Sequence, residues 1–485
     1  MRYYLDPFGC VKNQVDAETM MAFLGHAGWE AAADSSEADL IIINSCGFIE
    51  TAKRESINAV LEYRKAYPHK RILLAGCLAQ RYAGELSEAL TEADGFFGNE
   101  DLSGIARAAA AAMGAAGPAA DPGTDAAVGN AAVGNAAVGK GNADGPGGTP
   151  LFPGDRPLLS LPGSAYVKIA EGCNNRCSFC AIPGIRGPLS SRTIPDVAAE
   201  CRRLLERGIR ELCLIGQDLG SYGRDLVPGL PGSGGKTGGG VTLPALLAAL
   251  SALEGDFWVR CLYIHPDNFP PAVLDLCRRD SRLLPYFDIP FQHGSADTLR
   301  AMNRRGSAET YLSLIDTIRG ALPDAVIRST FLTGFPGETE KDFEALLEFQ
   351  ARAALDWAGV FTYSREEDTP AYSMKGRVPK KIALERKRIV EERQIPITQG
   401  RMDRFIGRTM EVLVEEPIRA ALGEGEKAEA GAGDSLYLGR LFCQAPEVDG
   451  AAVISSSRVL QPGTFIRGKV FARAGFDLEV ARINA

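Results

Sequence analysis

The sequence predicts an α/β protein in three parts: an N-terminal doubly wound α/β domain, a six-unit partial (β/α) barrel, and a small C-terminal β-barrel. Three observations predict it. Apolar strand-like runs alternate with amphipathic helical runs over 1–103 and again over 156–397. Between these stretches, 104–155 is dominated by Ala, Gly and Pro. From 398 onward the pattern shifts to short alternating runs of the kind that close into a barrel.

In the first part, "RYYLDPFG", "DLIIINSCG" and "RILLAGCLA" read as strands, and "NQVDAETMMAFLGHAG" and "TAKRESINAVLEYRKAYP" as the helices between them. The segment 104–155 includes the tandem "AAVGNAAVGNAAVGK" over 126–140. It has too few large apolar side chains to offset the entropy of ordering, so a disordered linker is expected, helical only at its alanine-rich start. The second part carries six strand candidates: "AYVKIA", "ELCLIG", "WVRCLYIHP", "YFDIPFQ", "AVIRSTFLTG" and "AGVFTYS". Helical patterns separate them, and six such units suit a parallel partial barrel whose ligands gather at the carboxyl ends of its strands. A glycine-rich insert, "PGLPGSGGKTGGG", reads as a surface loop. After the basic helix "PKKIALERKRIVEERQIPITQGRMDRFIG", the runs "TMEVLVEE", "LYLGRLF" and "GTFIRGKVFARAGFDLEVARI" predict the last barrel.

At 485 residues and 45% hydrophobic, the chain can bury several cores. It has no apolar run long enough to span a bilayer and no leader-like start, so a cytoplasmic protein without membrane contact is expected. Eleven cysteines in so long a chain point to metal binding or thiol chemistry rather than to a disulfide scaffold. A net charge of −8 gives no overall case for nucleic-acid binding.

The stretch "EGCNNRCSFCAIPGIRG" places Cys173, Cys177 and Cys180 in a loop directly after the first strand of the predicted barrel, so all three face its carboxyl-end mouth. Three thiolates can hold three irons of a cubane cluster and leave the fourth without a protein ligand. That open iron can chelate S-adenosylmethionine (SAM), whose reductive cleavage yields a 5′-deoxyadenosyl radical. A zinc knuckle with a distant fourth ligand is the alternative. Cys10, Cys46 and Cys77 each stand just after a predicted strand, 36 and 31 residues apart, about one βαβ repeat each. The fold would bring those strand ends to one edge, which implies a second cluster of the same kind; three buried structural cysteines are the alternative. Cys201, Cys213, Cys261, Cys277 and Cys443 lie singly in helix or strand patterns and read as core residues.

Other residues stand where such chemistry needs them. "TGFPGET" ends a strand and opens a helix, so Gly334 could let backbone donors approach the cofactor, with Glu338 at the helix N-terminus. "LIGQD" puts Gln217 and Asp218 at a strand end. In "RGPLSSR", Arg186 or Arg192 could clamp a carboxylate, and His293 lies at another strand end. Turn and capping chemistry explains several of these equally well.

The motifs "GCVKN", "NSCGFIETAKRES", "GCLAQRY", "CNNRCSFCAIP", "GQDLGSYGRDL", "DIPFQHGS" and "GFPGETEKDF" together resemble the methylthiotransferase branch of the radical SAM enzymes. The resemblance covers essentially the full length apart from the two low-complexity inserts. It implies an N-terminal methylthiotransferase domain (1–103), a radical SAM core (156–397) and a TRAM β-barrel (398–485). It also implies two [4Fe-4S] clusters, on Cys10, Cys46 and Cys77 and on Cys173, Cys177 and Cys180, with SAM bound at the second. Phe179 matches the aromatic position expected near the adenine; Gln217, Gly334, Glu338 and Arg192 are the further expected cofactor contacts.

Within the family the motifs look like those of the ribosomal-protein enzymes, which place a methylthio group on the β-carbon of an aspartate in small-subunit ribosomal protein twelve. The relatives that modify tRNA adenosine typically have glutamine and methionine in the first motif and an arginine soon after the second cysteine. Here Val11 and Lys12 follow Cys10, and "GFIE" follows Cys46. Two departures bear on the substrate: Val11 stands where the ribosomal-protein enzymes usually have proline, and "QHGS" has an ending found in the tRNA enzymes. Charge separates the readings independently. Residues 411–482 carry about 11 acidic against about 8 basic side chains, which suits a basic protein better than phosphates. The resemblance implies as partners this ribosomal protein, a reductant such as flavodoxin or ferredoxin, and a sulfur donor. One SAM would methylate sulfur at the N-terminal cluster, and a second would give the radical that takes hydrogen from the β-carbon. A metalloprotein that only binds a ribosomal component is the reading from another class.

Overall fold

The computed structural model describes residues 1–114, 155–226, 240–418 and 435–483. The tandem repeat at 126–140 and nearly all of the glycine-rich insert lie outside the described residues.

In the N-terminal domain, β1 (Arg2–Pro7), β2 (Glu30–Ala31), β3 (Leu40–Ser45), β4 (Arg71–Gly76) and β5 (Gly95–Phe97) form a parallel sheet in the order β2-β1-β3-β4-β5. The apolar run of β3 is buried on both faces, as a central parallel strand must be. Its alternate residues serve different layers. Leu40 and Ile42 pack with Met20 and Leu24 of the helix Val11–His26, whereas Ile41 and Ile43 pack with Val60, Leu78 and Leu86 on the other side. The alanine-rich stretch after this domain does start as a helix, Ile105–Ala112, and its Ile105, Ala109 and Ala112 join the first of these layers.

The central part builds one six-stranded parallel sheet from β6 (Ser164–Lys168), β9 (Glu211–Ile215), β10 (Trp258–Cys261), β11 (Leu283–Asp288), β12 (Val326–Thr333) and β13 (Trp357–Thr362), paired in that order. β6 and β13 are its two edges, so the barrel stays open. Between β6 and β9, two-residue strands β7 (Ala170–Glu171) and β8 (Ser190–Ser191) pair antiparallel and close the neck of the cysteine loop. Val167, Leu212, Leu214 and Val259 face the helices Ile194–Glu206, Leu243–Ser251 and Ala272–Arg279 on the outside. The predicted strand "WVRCLYIHP" pairs only as far as Cys261, because Tyr263 turns to a left-handed φ of 71°.

The inner face of this sheet carries Tyr166, Cys213, Trp258, Tyr286 and Trp357, and its cover comes from the third part. β14 (Thr409–Pro417), β15 (Ser435–Arg440), β16 (Ala452–Ser456), β17 (Phe465–Ala474) and β18 (Asp477–Arg482) close into a barrel in the order β14-β15-β16-β18-β17. Val412, Leu413, Leu441 and Cys443 from this barrel share a core with the inner face. A buried ion cluster fixes the joint. Glu211 accepts from Arg260 Nε at 2.7 Å and from Arg440 Nη2 at 2.5 Å, and Arg440 also reaches Ser164 Oγ at 2.7 Å. A second cluster ties the N-terminal domain down: fully buried Arg156 donates to Glu18 (2.9 Å), to the carbonyl of Tyr166 (2.6 Å) and to Glu200. Each cluster joins parts far apart in sequence, and removing one partner would leave an uncompensated buried charge. The long basic helix, Lys380–Asp403, runs along β13 with Pro396 inside it.

Candidate active site

The parallel register of the N-terminal sheet puts its three cysteines at one edge of that sheet. Pro7 of β1 stands beside Asn44 of β3, and Asn44 beside Ala75 of β4. The chain therefore leaves all three strands at one level, and Cys10, Cys46 and Cys77 follow within three residues of each end. Glycines permit the packing. Gly9 has a φ of +94°, and a Cβ there would fall 2.9 Å from Cys46 Cβ; Gly76 has a φ of +92°, with Asn44 Oδ1 and Ser45 O in the way of a side chain. Cys10 is exposed, while Cys46 and Cys77 are buried. Cys77 Sγ lies 3.1 Å from Asn13 Oδ1 and 3.2 Å from Asn99 Nδ2. Burial pushes the Cys77 thiol up to about 12, against the pull of Arg186.

The second set sits in the loop that β7 and β8 close. Its backbone turns at Gly172 (φ +66°) and at Arg176 (φ 52°), and a Cβ at Gly172 would collide with the carbonyls of Gly187 and Pro188. Cys180 N donates to the Cys177 carbonyl at 3.1 Å, and Cys173 N to that of Gly187 at 3.2 Å. Asn175 pins the loop to the next strand ends through Asp218 (2.8 Å) and Asn268 (3.0 Å). Burial raises Cys173 and takes Cys180 to about 12. All eleven cysteines are free thiols, and the five expected in the core are buried.

Arg186 bridges the two sets. It leaves the short helix that follows Cys180, and its Nη1 donates to both carboxylate oxygens of Glu171 (2.8 and 3.1 Å). It also reaches Asp16 Oδ2 at 2.8 Å, Asn13 Oδ1 at 2.7 Å and Cys77 Sγ at 3.3 Å in the N-terminal domain. Lys168, at the end of β6, pairs with Asp16 and with Glu171 at 2.6 Å. Burial alone would raise Glu171, but Lys168 and Arg186 outweigh it and hold the carboxyl at about 2. Beside this network Lys12 is buried, its Nζ 3.0 Å from the centre of the Tyr263 ring.

The other expected residues fall into two groups. Gln217 stands just after β9, with Oε1 and Nε2 both buried and without a hydrogen-bond partner among the described residues. Phe179 packs from the cysteine loop onto the barrel core, half-buried. Gly334 and Glu338, by contrast, are bound to their own surroundings. Gly334 has a φ of +77°, and a Cβ there would fall 2.4 Å from that of Ala383. Glu338 accepts from the backbone N–H groups of Gly334 (2.5 Å) and Phe335 (2.9 Å) and pairs with Arg386 at 2.9 Å. Arg192 donates to Asp196 (2.7 Å), Glu200 (2.5 Å) and the carbonyl of Lys168 (2.9 Å). His293 is buried, held near 4 by desolvation; its Nδ1 accepts from Ser295 N, while Nε2 has no hydrogen-bond partner among the described residues.

Sequence reasoning missed Asn13, Asp16, Lys168, Glu171 and Asn268. A signal existed for one of them: Lys168 is a cation within an otherwise apolar strand. A cavity of about 850 Å³ adjoins the cysteine loop, lined in part by Asn174, Asn175, Arg224, His265, Arg304 and Arg305.

Among the described residues, no three His, Cys, Asp or Glu side chains converge as ligands of a single ion. Each set instead offers three thiols and no carboxylate or imidazole, the donor chemistry of iron–sulfur centres. Cys173, Cys177 and Cys180 fit as holders of one cluster, with the unpartnered Gln217 amide at a neighbouring strand end.

An open six-stranded parallel barrel with three cysteines after its first strand is the architecture of a radical SAM enzyme. The radical SAM superfamily model matches residues 167–349; flanking it, the models for uncharacterized protein family UPF0004 and for the TRAM domain match 2–98 and 406–483. The chain is 44% identical to ribosomal protein uS12 methylthiotransferase RimO of Treponema denticola, over 99% of this chain and 100% of the relative. It is 39% identical to that of Pelotomaculum thermopropionicum, over 97% and 96%. Among solved structures, the radical S-adenosylmethionine methyltransferase TsrM of Kitasatospora setae, with cobalamin and a [4Fe-4S] cluster bound, shares the fold at a TM-score of 0.50 and 14% identity, over 76% of each chain. The chain belongs to the RimO family of radical SAM methylthiotransferases. SAM and a [4Fe-4S] cluster are the cofactors that this family implies.

Proposed function

We propose that this enzyme methylthiolates the β-carbon of an aspartate in ribosomal protein uS12, using two [4Fe-4S] clusters, one on each cysteine triad. The observation that supports the reading is Arg186, which follows Cys173, Cys177 and Cys180 in the chain and is hydrogen-bonded to Glu171 on its own side and to Asp16 and Cys77 of the N-terminal domain. When bound, the clusters and SAM supply the radical that activates an unreactive C–H bond and the sulfur that replaces its hydrogen. The chain's own residues do the rest. Cys173, Cys177 and Cys180 would hold the radical-generating cluster, with Phe179 and Gln217 beside SAM. Cys10, Cys46 and Cys77 would hold the other, and Arg186, Asp16 and Lys168 tie the N-terminal helix to the neck of the cysteine loop. The Gly334–Glu338 turn and Arg192 act here by shaping the strand-end loops, since their polar groups are bound within the protein.

A basic ribosomal protein suits the net charge of −8. No helix among the described residues is long and apolar enough to cross a membrane, and we place the reaction in the cytoplasm. A low-potential reductant such as flavodoxin or ferredoxin would supply the electron, and a sulfur donor would replenish the inserted sulfur.

The test is anaerobic reconstitution with iron and sulfide, then incubation with SAM, a strong reductant and isolated uS12, read by mass spectrometry. The reading expects a mass gain of one methylthio group for one hydrogen, on a single aspartate. Formation of 5′-deoxyadenosine without that gain would point to tRNA instead. Iron in both sites without either product would reduce the chain to a binding protein.

A further inference from the structure

We propose that Lys12 is the anchor for the substrate carboxylate, a contact that rests on the reading above and adds to it the group that recognises the aspartate. Three independent observations converge on this side chain.

Lys12 is only 8% exposed. Its ammonium stands 3.0 Å from the centre of the Tyr263 ring, and no carboxylate of the described residues lies within ion-pair distance of it. The acidic groups nearby are already committed: Asp288 to Arg328 at 3.2 Å, and Glu171 to Lys168 and Arg186. A buried cation whose one close partner is an aromatic face retains unused donors, and burial without an anion is costly.

Lys12 lies in the first turn of the helix Val11–His26, and no side chain caps that end. The unpaired N–H groups and the helix dipole add positive potential at the same point. The residue that presents the ring to Lys12 is itself strained: Tyr263 holds a φ of 71°. Such strain in a bulky residue persists where its surroundings over-determine it, and it concentrates at ligand sites.

Position supplies the ligand class. Lys12 is two residues from Cys10, and Tyr263 follows the carboxyl end of β10, so the ammonium stands between the sulfur-carrying triad and the barrel mouth. An aspartate whose β-carbon must meet both would bring its carboxylate to this cation.

The experiment measures binding of uS12, and of uS12 with its target aspartate changed to asparagine, to the reconstituted full-length enzyme and to Lys12→Met and Lys12→Arg. Iron content and uncoupled 5′-deoxyadenosine formation are read alongside. Lys12→Met is expected to weaken uS12 binding at least about tenfold, the scale of a charge-assisted hydrogen bond. Iron and uncoupled SAM cleavage should stay within about twofold. The asparagine substrate should lose a similar factor with wild type and no more with Lys12→Met, and Lys12→Arg should recover part of the affinity. Equal binding by wild type and Lys12→Met overturns the anchor, as does a loss that multiplies with the asparagine change. A loss of iron or of SAM cleavage overturns it too, by assigning Lys12 to a cofactor. If wild type itself neither binds nor modifies uS12, the substrate reading fails and the anchor with it, an outcome distinct from failure of the anchor alone.

Discussion

The guanidinium of Arg186 lies 3.3 Å from the sulfur of Cys77, so a residue six positions beyond Cys180 touches the other cysteine triad across a domain boundary. Its side chain is 2% exposed, as is that of its partner Asp16. Arg186→Met should destabilise the fold by about 3 kcal/mol, because it leaves Asp16 and Glu171 to share the single cation of Lys168. Urea unfolding of the full-length chain checks this. Arg186→Lys keeps the charge without the fork, and should restore most of the stability while altering the spectrum of the N-terminal cluster alone.

Division of labour between the triads predicts two phenotypes. Changing Cys10, Cys46 and Cys77 together to alanine should abolish methylthiolation and lower the iron content, yet leave SAM cleavage to 5′-deoxyadenosine intact. Changing Cys173, Cys177 and Cys180 should abolish both. Paired iron analysis and product chromatography decide the matter; loss of SAM cleavage in the first variant, with the core cluster present, would sink the scheme.

Gly334→Ala should cost at least about 1–2 kcal/mol from the left-handed backbone alone. The contact with Ala383 adds to that, and the turn held by Glu338 should shift away from the long helix. Denaturant titration gives the stability. SAM affinity of the folded variant then shows how far the shape of this turn matters to the cofactor.

Acid should loosen the joint between the two barrels. Burial favours protonation of Glu211, but Arg440 and Arg260 outweigh it and bring its carboxyl from 4.5 to about 2. A carboxyl depressed on folding contributes stability that is complete above its ordinary value and is lost as pH falls through the folded one. Stability should therefore decline between about pH 4.5 and about pH 2. Glu211→Gln should flatten that decline while lowering stability at neutral pH, both measurable by thermal unfolding across the range.

Much of this was legible in the sequence where a local pattern fixed a position. Alternating apolar runs located the sheets, and spacing of one βαβ repeat put Cys10, Cys46 and Cys77 at neighbouring strand ends. The pairing that holds the triads together was not legible: Lys168 meets Asp16 across 152 residues, and Arg156 meets Glu18 across 138. No local pattern encodes such partners. β16 escaped notice because its "AVISS" is short and ends in serines, so its place is set by its neighbours β15 and β18 rather than by its own pattern. Arg192 and Glu338 show the reverse case. Their place beside a strand end was legible, and their protein partners Asp196, Glu200 and Arg386 were not.

The level register of Pro7, Asn44 and Ala75 sets where this gene can change length. Deleting one residue within β1, β3 or β4 would turn the following cysteine to the opposite side of the sheet, since side chains alternate at every step. Lengthening the chain beyond each cysteine, well before the next strand, leaves the thiols where they are. Insertions and deletions that preserve activity should accordingly spare the three strands and the residues up to each cysteine, a bias that a library of single-codon deletions would expose directly.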